Sequence, residues 1–385
     1  MIHRLRIANF KALRDVSVDL SSFHALIGPN DSGKTSILQA VAALCRSVEE
    51  HLGSAFGGPW NGRDLVWRSQ DLPVTLAASL SDDVGAFDYE LVCRFESKDR
   101  TVHTEREEIR EGTQVHPLTT GSKSTIVHQN HSSRSATPDV LATRRVHDAL
   151  AGVQFCRWNP RFLALPVGFQ NRHQFWIDPS GFGLVSLLDD IDDSDRSIFD
   201  GIQSRFRELF PQIKSITFKK EPGFVGNPQQ DFDLPELNRA PGKGLYFRFA
   251  SGEEVRASQV SDGLLLVLAY LAIVNLPKPP RMLLVEEPEN GIHWERLRDV
   301  LNILREIVPG RRRTQILMTT HSPYVIDHFA PEEVSICRLG IDGSVAVTRL
   351  SDNDIVRKRL DVFTLGEIWS AEGDQQLAER SPAGE

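Results

Sequence analysis

Apolar and polar side chains alternate in three short stretches before residue 28, and this pattern is typical of β-strands. The stretches are residues 2–7, 16–20 and 24–27, and each has the length and aliphatic content of a strand. Over residues 36–44 small and aliphatic side chains follow one another, which predicts a helix. The chain therefore begins with strands that lead into a helix, the order expected of an α/β fold.

The middle of the chain mixes the strand pattern with polar segments. Alternation over residues 74–110 predicts an antiparallel meander, and residues 153–158 predict a strand that returns to the core. Residues 111–138 are rich in Ser, Thr, His, Gly and Asn and lack periodicity, so they predict a flexible loop. Residues 221–244 are rich in Pro, Gly and Asn and predict a second loop.

Two later segments have the composition of helices. Residues 196–210 place apolar side chains on one face, and Pro211 ends the predicted helix. The acidic run 189–195 before it predicts a capped entrance to that helix rather than a calcium loop. Residues 264–274 are an apolar run of 11 residues, which is too short for a membrane span.

Composition and charge narrow the class of protein. The 385 residues carry a formal net charge of −8, so the chain as a whole is not built to coat nucleic acid, although a local basic face is compatible with this total. The four cysteines have no paired spacing, which favours reduced thiols in a reducing compartment. The first residues lack the apolar core of a signal peptide, and we expect a cytoplasmic protein.

The segment between the third strand and the first helix carries the most specific motif. Residues 28–35 read G-x-x-x-x-G-K-T, a spacing that lets glycine-rich backbone wrap a polyphosphate at a helix N-terminus. We expect Lys34 to reach the β- and γ-phosphates and the Thr35 hydroxyl to ligate Mg²⁺. The nucleotide-binding residues predicted in this loop are Gly28, Asn30, Ser32, Gly33, Lys34, Thr35 and Ser36.

A second motif ends a buried-strand pattern at two adjacent carboxylates. Residues 281–288 run from an apolar stretch into Glu286, Glu287 and a proline. We assign Glu286 to the Mg²⁺ site and Glu287 to general-base activation of the attacking water.

Two further segments carry candidate phosphate contacts. Residues 314–322 predict a strand that ends near His321, whose neutral imidazole is suited to sensing the γ-phosphate. Ser261 and Gly263 precede the apolar run of residues 264–274, where they can serve either as a structural helix cap or as an anion site.

Taken together, these motifs resemble ABC-type ATPase heads of the SMC and RecF kind. Within that group the chain looks closest to the ATPase module of the overcoming-lysogenization-defect (OLD) proteins and to related stand-alone bacterial ATPases. The resemblance implies an α/β P-loop NTPase fold, an ABC-type head with a mixed sheet and an inserted helical and strand lobe. The expected division is a nucleotide-binding lobe over residues 1–75, an insertion over 76–255 and the C-terminal ATPase part over 256–385. The matching motifs are NFK (9–11), GPNDSGKT (28–35), VSDG (260–263), LLVEEPENGIH (283–293) and TTHSP (319–323).

The resemblance also implies that two subunits sandwich two ATP molecules, with Mg²⁺ at each site. Ser261 and Gly263 of one subunit then contact the γ-phosphate held by Lys34 of the other, and residues 290–291 lie near the dimer seam. Lys11 joins the nucleotide-binding set on the same ground. The leading functional hypothesis is a cytoplasmic switch ATPase of bacterial anti-phage defence, acting as a homodimer or higher even oligomer with a separate effector such as a nuclease. The alternatives are a RecF-like repair ATPase that binds DNA directly and a transporter motor.

Several weaker features accompany this interpretation. Gln154 and Asn159 are both candidates for the glutamine-loop residue. OLD proteins carry a nuclease after the ATPase, and residues 352–354 mimic its D-x-D pattern, but we interpret them as a solvated loop and expect no intrinsic nuclease. Residues 311–313 form a short basic run that we expect to be a solvated loop. Four histidines with irregular spacing predict a flexible polar loop rather than a zinc site: His103, His116, His128 and His131.

Overall fold

The computed structural model forms two compact units. The first comprises Met1–Gln154, Pro280–Glu286 and Arg311–Glu385, and the second comprises Phe155–Pro279 and Glu287–Gly310. The structure describes residues 1–57, 62–96, 101–118, 121–135, 137–169, 175, 177–225, 239–309 and 314–378.

The described elements alternate between strands and helices along most of the chain. The strands are β1 (Ile2–Phe10), β2 (Leu13–Asp19), β3 (Phe23–Ile27), β4 (Val74–Ser81), β5 (Ala86–Phe95), β6 (Val102–Glu111), β7 (Gln114–Leu118), β8 (Val153–Cys156), β9 (Val167–Gly168), β10 (Ile213–Phe224), β11 (Arg239–Phe249), β12 (Glu254–Arg256), β13 (Met282–Glu286), β14 (Gln315–Thr319), β15 (Val334–Leu339) and β16 (Val345–Arg349). The helices are α1 (Lys34–Ser47), α2 (Leu52–Ala55), α3 (Ile126–Asn130), α4 (Pro138–Leu150), α5 (Pro160–Leu163), α6 (Leu184–Ser194), α7 (Arg196–Leu209), α8 (Asp262–Val274), α9 (Trp294–Ile307), α10 (Pro323–Ile326), α11 (Asp354–Arg359) and α12 (Leu365–Ala378).

The first unit contains an antiparallel sheet of six strands in the order β2-β1-β4-β5-β6-β7. Its strands alternate buried and exposed positions, most regularly in β4, because one face packs on the core and the other faces solvent. This sheet confirms the meander predicted over residues 74–110.

A second six-stranded sheet of the first unit has the order β16-β15-β3-β14-β13-β8. The strands β15, β3, β14 and β13 run parallel, and β16 pairs antiparallel to β15. Every residue of β3 and β14 is buried, as expected of parallel strands covered on both faces. The mixed sheet confirms the predicted α/β fold class.

The prediction of a flexible loop over residues 111–138 is wrong for most of that segment. Residues 114–118 form β7 on the edge of the first sheet, and α3 and the start of α4 follow. The buried carboxylate of Glu107 holds this segment, since it accepts hydrogen bonds from the amides of Ile126 at 2.6 Å and Val127 at 3.3 Å and from Tyr89 at 3.0 Å. Burial raises the pKa of Glu107, and these three donors act in the opposite direction.

The four histidines assigned to a flexible loop belong to ordered elements, with His103 in β6, His116 in β7, and His128 and His131 in and at the end of α3. His116 is buried in β7, and its Nδ1 lies 2.7 Å from a carboxylate oxygen of Asp139. The His128 amide donates to the Thr125 hydroxyl at the start of α3. Among the described residues, no group of three or more His, Cys, Asp or Glu side chains could hold a metal ion.

The second unit contains the four-stranded sheet β10-β9-β11-β12 and the helices α5 to α9. Helix α7 confirms the predicted amphipathic helix, with Phe199, Ile202 and Phe206 buried. Asp195 caps α7 by accepting a hydrogen bond from the Ser197 amide at 3.0 Å. The rest of the acidic run is not an entrance segment, because residues 189–194 are the last turns of α6.

The loop predicted over residues 221–244 is largely a hairpin where the structure describes it. Residues 221–224 end β10 and residues 239–244 begin β11, whereas residues 226–238 lie outside the described residues. The glycines that suggested a loop are required by close packing, since a Cβ on Gly223 or Gly242 would lie 2.3 or 2.2 Å from the backbone of Val167 in β9.

Helix α8 covers the apolar run and is buried along almost its whole length. In the part of the chain that the structure describes, no helix has the length and apolar character needed to cross a membrane.

The parallel core encloses the imidazole of His24. His24 in β3 is fully buried, and its Nε2 lies 3.0 Å from the Ser335 hydroxyl. Burial, with a smaller effect of the Arg349 charge, lowers the pKa of this imidazole from its ordinary 6.5 to about 3. His24 therefore stays neutral in the folded protein at pH values where the unfolded chain is protonated.

We predict that His24→Gln reduces the acid sensitivity of folding. The neutral folded form supports stability above pH 6.5, and this contribution is lost as pH falls towards the folded pKa of about 3. Between about pH 7.5 and 5 the wild-type protein should lose about 2 kcal/mol more than the variant, as measured by denaturant unfolding. His293→Gln, at an exposed histidine, is the control and should follow the wild type. Equal losses in all three proteins would contradict the prediction.

Candidate nucleotide-binding site

The loop between β3 and α1 has a conformation that requires its glycines. Gly28 and Gly33 have φ angles of 131° and 89°. A Cβ on Gly28 would lie 2.2 Å from the Cys337 carbonyl oxygen, and one on Gly33 would lie 2.6 Å from a Val345 methyl group. The two glycines of the sequence motif are thus fixed both by backbone angle and by the strands β15 and β16 beside them.

Lys34 is held inside the curve of this loop. Its ammonium group donates hydrogen bonds to the carbonyls of Gly28 at 2.8 Å and Pro29 at 2.7 Å, and to the Ser32 hydroxyl at 3.5 Å. Ser32 is buried and Asn30 is exposed. The loop therefore surrounds a positive charge at the N-terminus of the 14-residue helix α1, where the helix dipole also favours an anion.

A short hydrogen bond joins the two nucleotide motifs. The Thr35 hydroxyl in the first turn of α1 donates to the Glu286 carboxylate at the end of β13, over 2.5 Å. The residues lie 251 positions apart in the sequence. The contact places a hydroxyl and a carboxylate oxygen side by side, and oxygen ligands of this type suit Mg²⁺.

The register of the parallel strands brings a third motif to the same edge of the sheet. Glu286 pairs with Thr319 in β14, and Thr319 pairs with Leu26 in β3. His321 follows Thr319 by two positions, as Gly28 follows Leu26. The carboxyl ends of β3, β13 and β14 therefore bring the phosphate loop, Glu286 and the His321 segment to one edge, where ligands bind in open α/β sheets.

Glu287 begins the turn after β13 in an unusual backbone conformation. Its φ angle is 49°, a left-handed value that is costly for a residue with a Cβ. The turn is closed by Asn290, which donates from its amide side chain to the Glu287 carboxylate at 2.6 Å and from its backbone to the Glu287 carbonyl at 3.0 Å. The carboxylate is thereby oriented by a residue of the same motif.

Ser261 and Gly263 lie at the start of α8 in the second unit. Ser261 occupies the N-cap position, but its side chain makes no capping hydrogen bond and is exposed. The alternative of a side-chain cap by Ser261 is therefore not observed. Gly263 is closely packed, since a Cβ there would lie 3.1 Å from the Gly291 carbonyl oxygen.

Lys11 has a contact that sequence reasoning did not anticipate. It has a φ angle of 51°, and its ammonium group donates to the Gln39 side chain in α1 over 2.5 Å. Gln39 belongs to none of the sequence motifs. Its role as the partner of Lys11 is therefore visible only in the structure, where the β1–β2 turn packs against α1.

The remaining candidates have structural roles where the structure describes them. Asn159 caps α5 by accepting from the Arg161 amide at 3.0 Å, whereas Gln154 lies in β8. The interpretation of residues 352–354 as a solvated loop is wrong at its centre. Asn353 is buried, caps α11 and donates to the carbonyls of residues 376 and 377. The basic run 311–313 lies outside the described residues.

Two protein-family models match separate parts of the chain. A family model described as AAA ATPase domain matches residues 1–110. A second AAA domain model, whose description names the AbiEii toxin of type IV toxin–antitoxin systems, matches residues 170–327.

A curated protein and two solved structures are also similar. The chain is 24% identical over 376 residues to the OLD nuclease of Thermus scotoductus, a match that takes in 92% of this chain and 65% of that protein. It thus spans less than two thirds of the length of this relative. An Smc head bound to the C-winged helix domain of ScpA has a TM-score of 0.53 at 14% identity, covering 90% of this chain and 97% of the other. An Smc head from Pyrococcus furiosus, bound to the C-terminal domain of ScpA, has a TM-score of 0.50 at 11% identity, covering 94% and 99%.

These structural likenesses concern the fold, and the family models and the curated relative concern the kind of ATPase. With the phosphate loop and the strand-end acids in place, they support an ABC/SMC-like ATPase that is related to the OLD proteins and has the fold of an SMC head.

Proposed function

We propose that this protein is a Mg²⁺-dependent, ATP-hydrolysing switch whose two composite sites form between two copies of the chain. The observation that carries the proposal is the convergence of Lys34, the Thr35–Glu286 pair and the His321 segment on one edge of the parallel sheet. The reaction is in-line attack of water on the γ-phosphate of ATP.

The residues at this edge fit ATP and Mg²⁺. The loop surrounds the Lys34 charge and leaves no room for a Cβ at Gly28 or Gly33, as a backbone that follows a polyphosphate must. Thr35 and Glu286 would hold the metal, which when bound neutralises charge on the phosphates. Glu287 would take the proton of the attacking water, with Asn290 orienting its carboxylate. His321 would hydrogen-bond the γ-phosphate.

The proposal of a composite site depends on Ser261. Its hydroxyl is exposed at the start of α8 and is not used to cap its own helix. It is therefore available to a phosphate bound by another copy, as the resemblance to ABC-type heads implies. ATP would then hold two chains together, and its hydrolysis would release or reshape the pair.

We further propose that the switch acts on a separate effector, a nuclease, in bacterial anti-phage defence. This step is suggested by the relative called OLD nuclease, of which this chain matches 65%. In this chain the D-x-D sequence at residues 352–354 begins helix α11, with Asn353 as its buried N-cap. Co-expression with its genomic neighbours should yield a stable complex, and failure with every neighbour would count against the proposal.

The alternative function, direct binding of duplex DNA, finds less support in the charges on the surface of the first sheet. The six arginines on the strands of that sheet each lie within ion-pair distance of a carboxylate, which offsets their charge at the surface. These pairs are Arg4–Asp19, Arg6–Asp15, Arg14–Asp342, Arg94–Glu105, Arg106–Glu90 and Arg110–Glu108.

We predict that Glu287→Gln traps an ATP-bound dimer. The amide cannot take a proton from water, so hydrolysis should fall by at least about 100-fold while the nucleotide site stays intact. Light scattering should show a doubled mass on adding Mg-ATP. Glu295→Gln, at an exposed position in α9, is the control and should hydrolyse ATP like the wild type. An unchanged monomer in the Glu287→Gln protein would contradict the dimer.

We predict that two inactive variants restore activity when mixed. Lys34→Ala and Ser261→Ala each damage both sites of a symmetric dimer, but a mixed dimer has one site with both residues intact. Random pairing should therefore restore about a quarter of the wild-type sites. ATPase activity of the mixture, against each variant alone, is the measurement. No recovery, although light scattering shows that the two variants pair in the mixture, would argue against Ser261 acting on the partner's nucleotide.

We predict that Thr35→Val removes the dependence of nucleotide binding on Mg²⁺. Valine keeps the shape of threonine but loses the hydroxyl that meets Glu286. ATP hydrolysis should fall by about 100-fold or more, and calorimetric titration should show equal ATP affinity with and without Mg²⁺. Thr75→Val in β4 is the matched control and should behave like the wild type. A retained Mg²⁺ effect in Thr35→Val would exclude this residue as a ligand.

A further inference from the structure

A cavity lies within the second unit, and none of its lining residues belongs to the phosphate loop or to the glutamates at the end of β13. Its volume is about 310 Å³, near the lower end of the range for small-molecule sites. Its walls are α5 with the three residues after it, the ends of β10 and β11, the turn before α8 and the first turn of α8. All of these elements belong to one compact unit.

Three arginines line this cavity, in a chain whose net charge is −8. Arg256 is engaged, because it forms an ion pair with the Glu221 carboxylate at 2.6 Å. Arg161 and Arg239 have no ion-pair partner within the described part of the chain. Arg239 is instead placed by Phe224, whose ring centroid lies 5.1 Å from the guanidinium carbon. Two guanidinium groups are therefore available to an anion.

Within the described part of the chain, the acidic groups near the cavity do not cancel this charge. Asp262 is the one carboxylate among the described lining residues, and it is exposed at the start of α8. The neighbouring carboxylate of Glu221 is neutralised by Arg256. The first turn of the 13-residue helix α8 adds a partial positive charge to the same wall. The balance favours a ligand with one or two negative charges.

The other walls of the cavity are apolar, and an inorganic ion alone would make no favourable contact with them. Pro160, Pro166 and Pro222 line the cavity together with Leu165 and Leu265. Flat apolar walls next to a stacked aromatic–guanidinium pair suit a planar ring, because nucleobases stack on aromatic rings and on arginine planes. The ligand thus combines a compact anion with a planar body.

We propose that this cavity binds a nucleoside 5′-phosphate at a site separate from the ATP site at Lys34. Arg161 and Arg239 hold the phosphate, since guanidinium groups bind phosphate oxygens bidentately. The base lies against the proline walls and the ring of Phe224. The cavity volume limits the ligand to one nucleotide, either free or at the 5′ end of a strand.

The test uses the full chain carrying Lys34→Ala, so that the phosphate loop does not bind the probe. Calorimetric titration with AMP, GMP and UMP should show saturable binding with one site per chain, and inorganic phosphate should bind at least about tenfold more weakly. A hexanucleotide with a 5′-phosphate should compete with AMP if strand ends are the ligand and fail to compete if the free nucleotide is. Absence of binding by all of these probes at millimolar concentration would overturn the proposal.

Variants in the same background locate the bound nucleotide. Arg161→Gln and Arg239→Gln should each weaken AMP binding by about tenfold or more, the effect of losing one charged hydrogen bond. Arg248→Gln is the matched control, since Arg248 lies on β11 but does not line the cavity. Phe224→Leu should weaken binding of AMP more than that of inorganic phosphate, because phosphate loses only the positioning of Arg239 whereas the base also loses a stacking surface. Equal AMP affinity in the three arginine variants would place the nucleotide elsewhere and overturn the proposal. The outcome is independent of ATP hydrolysis, so it stands or falls separately from the proposed function.

Discussion

The hydrogen bond between Thr35 and Glu286 is the contact on which the rest of the candidate site depends. It joins the first turn of α1 to the last residue of β13 over 2.5 Å. The contact forms only because β3, β14 and β13 are parallel neighbours whose ends are in register. The same strands are nearly continuous in apolar sequence, and such strands are stable only when both faces are covered. Packing of the core therefore sets the position of the chemical groups at the edge of the sheet.

How much could be predicted from the sequence depended on whether the signal was local. The apolar strands, the phosphate loop and helix α7 carry their pattern within a few residues, and the structure confirms them as elements. The prediction of a flexible loop over residues 111–138 was wrong because the order of this segment comes from Glu107 in β6. The Glu107 carboxylate accepts hydrogen bonds from two amides of α3. The prediction of a loop over residues 221–244, where the structure has the hairpin of β10 and β11, was wrong for a similar reason. The glycines of the hairpin, Gly223 and Gly242, accommodate Val167 of β9, which lies 56 and 75 positions earlier in the chain. No local pattern distinguishes such a glycine from one in a turn.

The same limit applies to the candidate site. The two glycines, Lys34, Thr35 and the two glutamates were predicted from spacing, because phosphate and metal chemistry require those residue types in that order. Sequence could not show that the Cys337 carbonyl lies against Gly28, or that Lys11 contacts Gln39. Nor could it show that Arg161 and Arg239, 78 positions apart in the chain, share one cavity. These are consequences of tertiary packing and leave no periodic trace.

The two proposed ligand sites of the second unit meet at the start of α8. Ser261, proposed to contact the nucleotide of a partner chain, is adjacent to Asp262, which lines the arginine cavity. A ligand of the cavity changes the affinity of dimerisation only if it binds the cavity with different affinity in the single chain and in the paired chains. Because Ser261 and Asp262 belong to the same helical turn, a ligand-induced shift of one is transmitted to the other without a long pathway. If the cavity binds a nucleotide, ATP-driven pairing of the chains is expected to respond to it, and by reciprocity pairing should alter the affinity of the cavity.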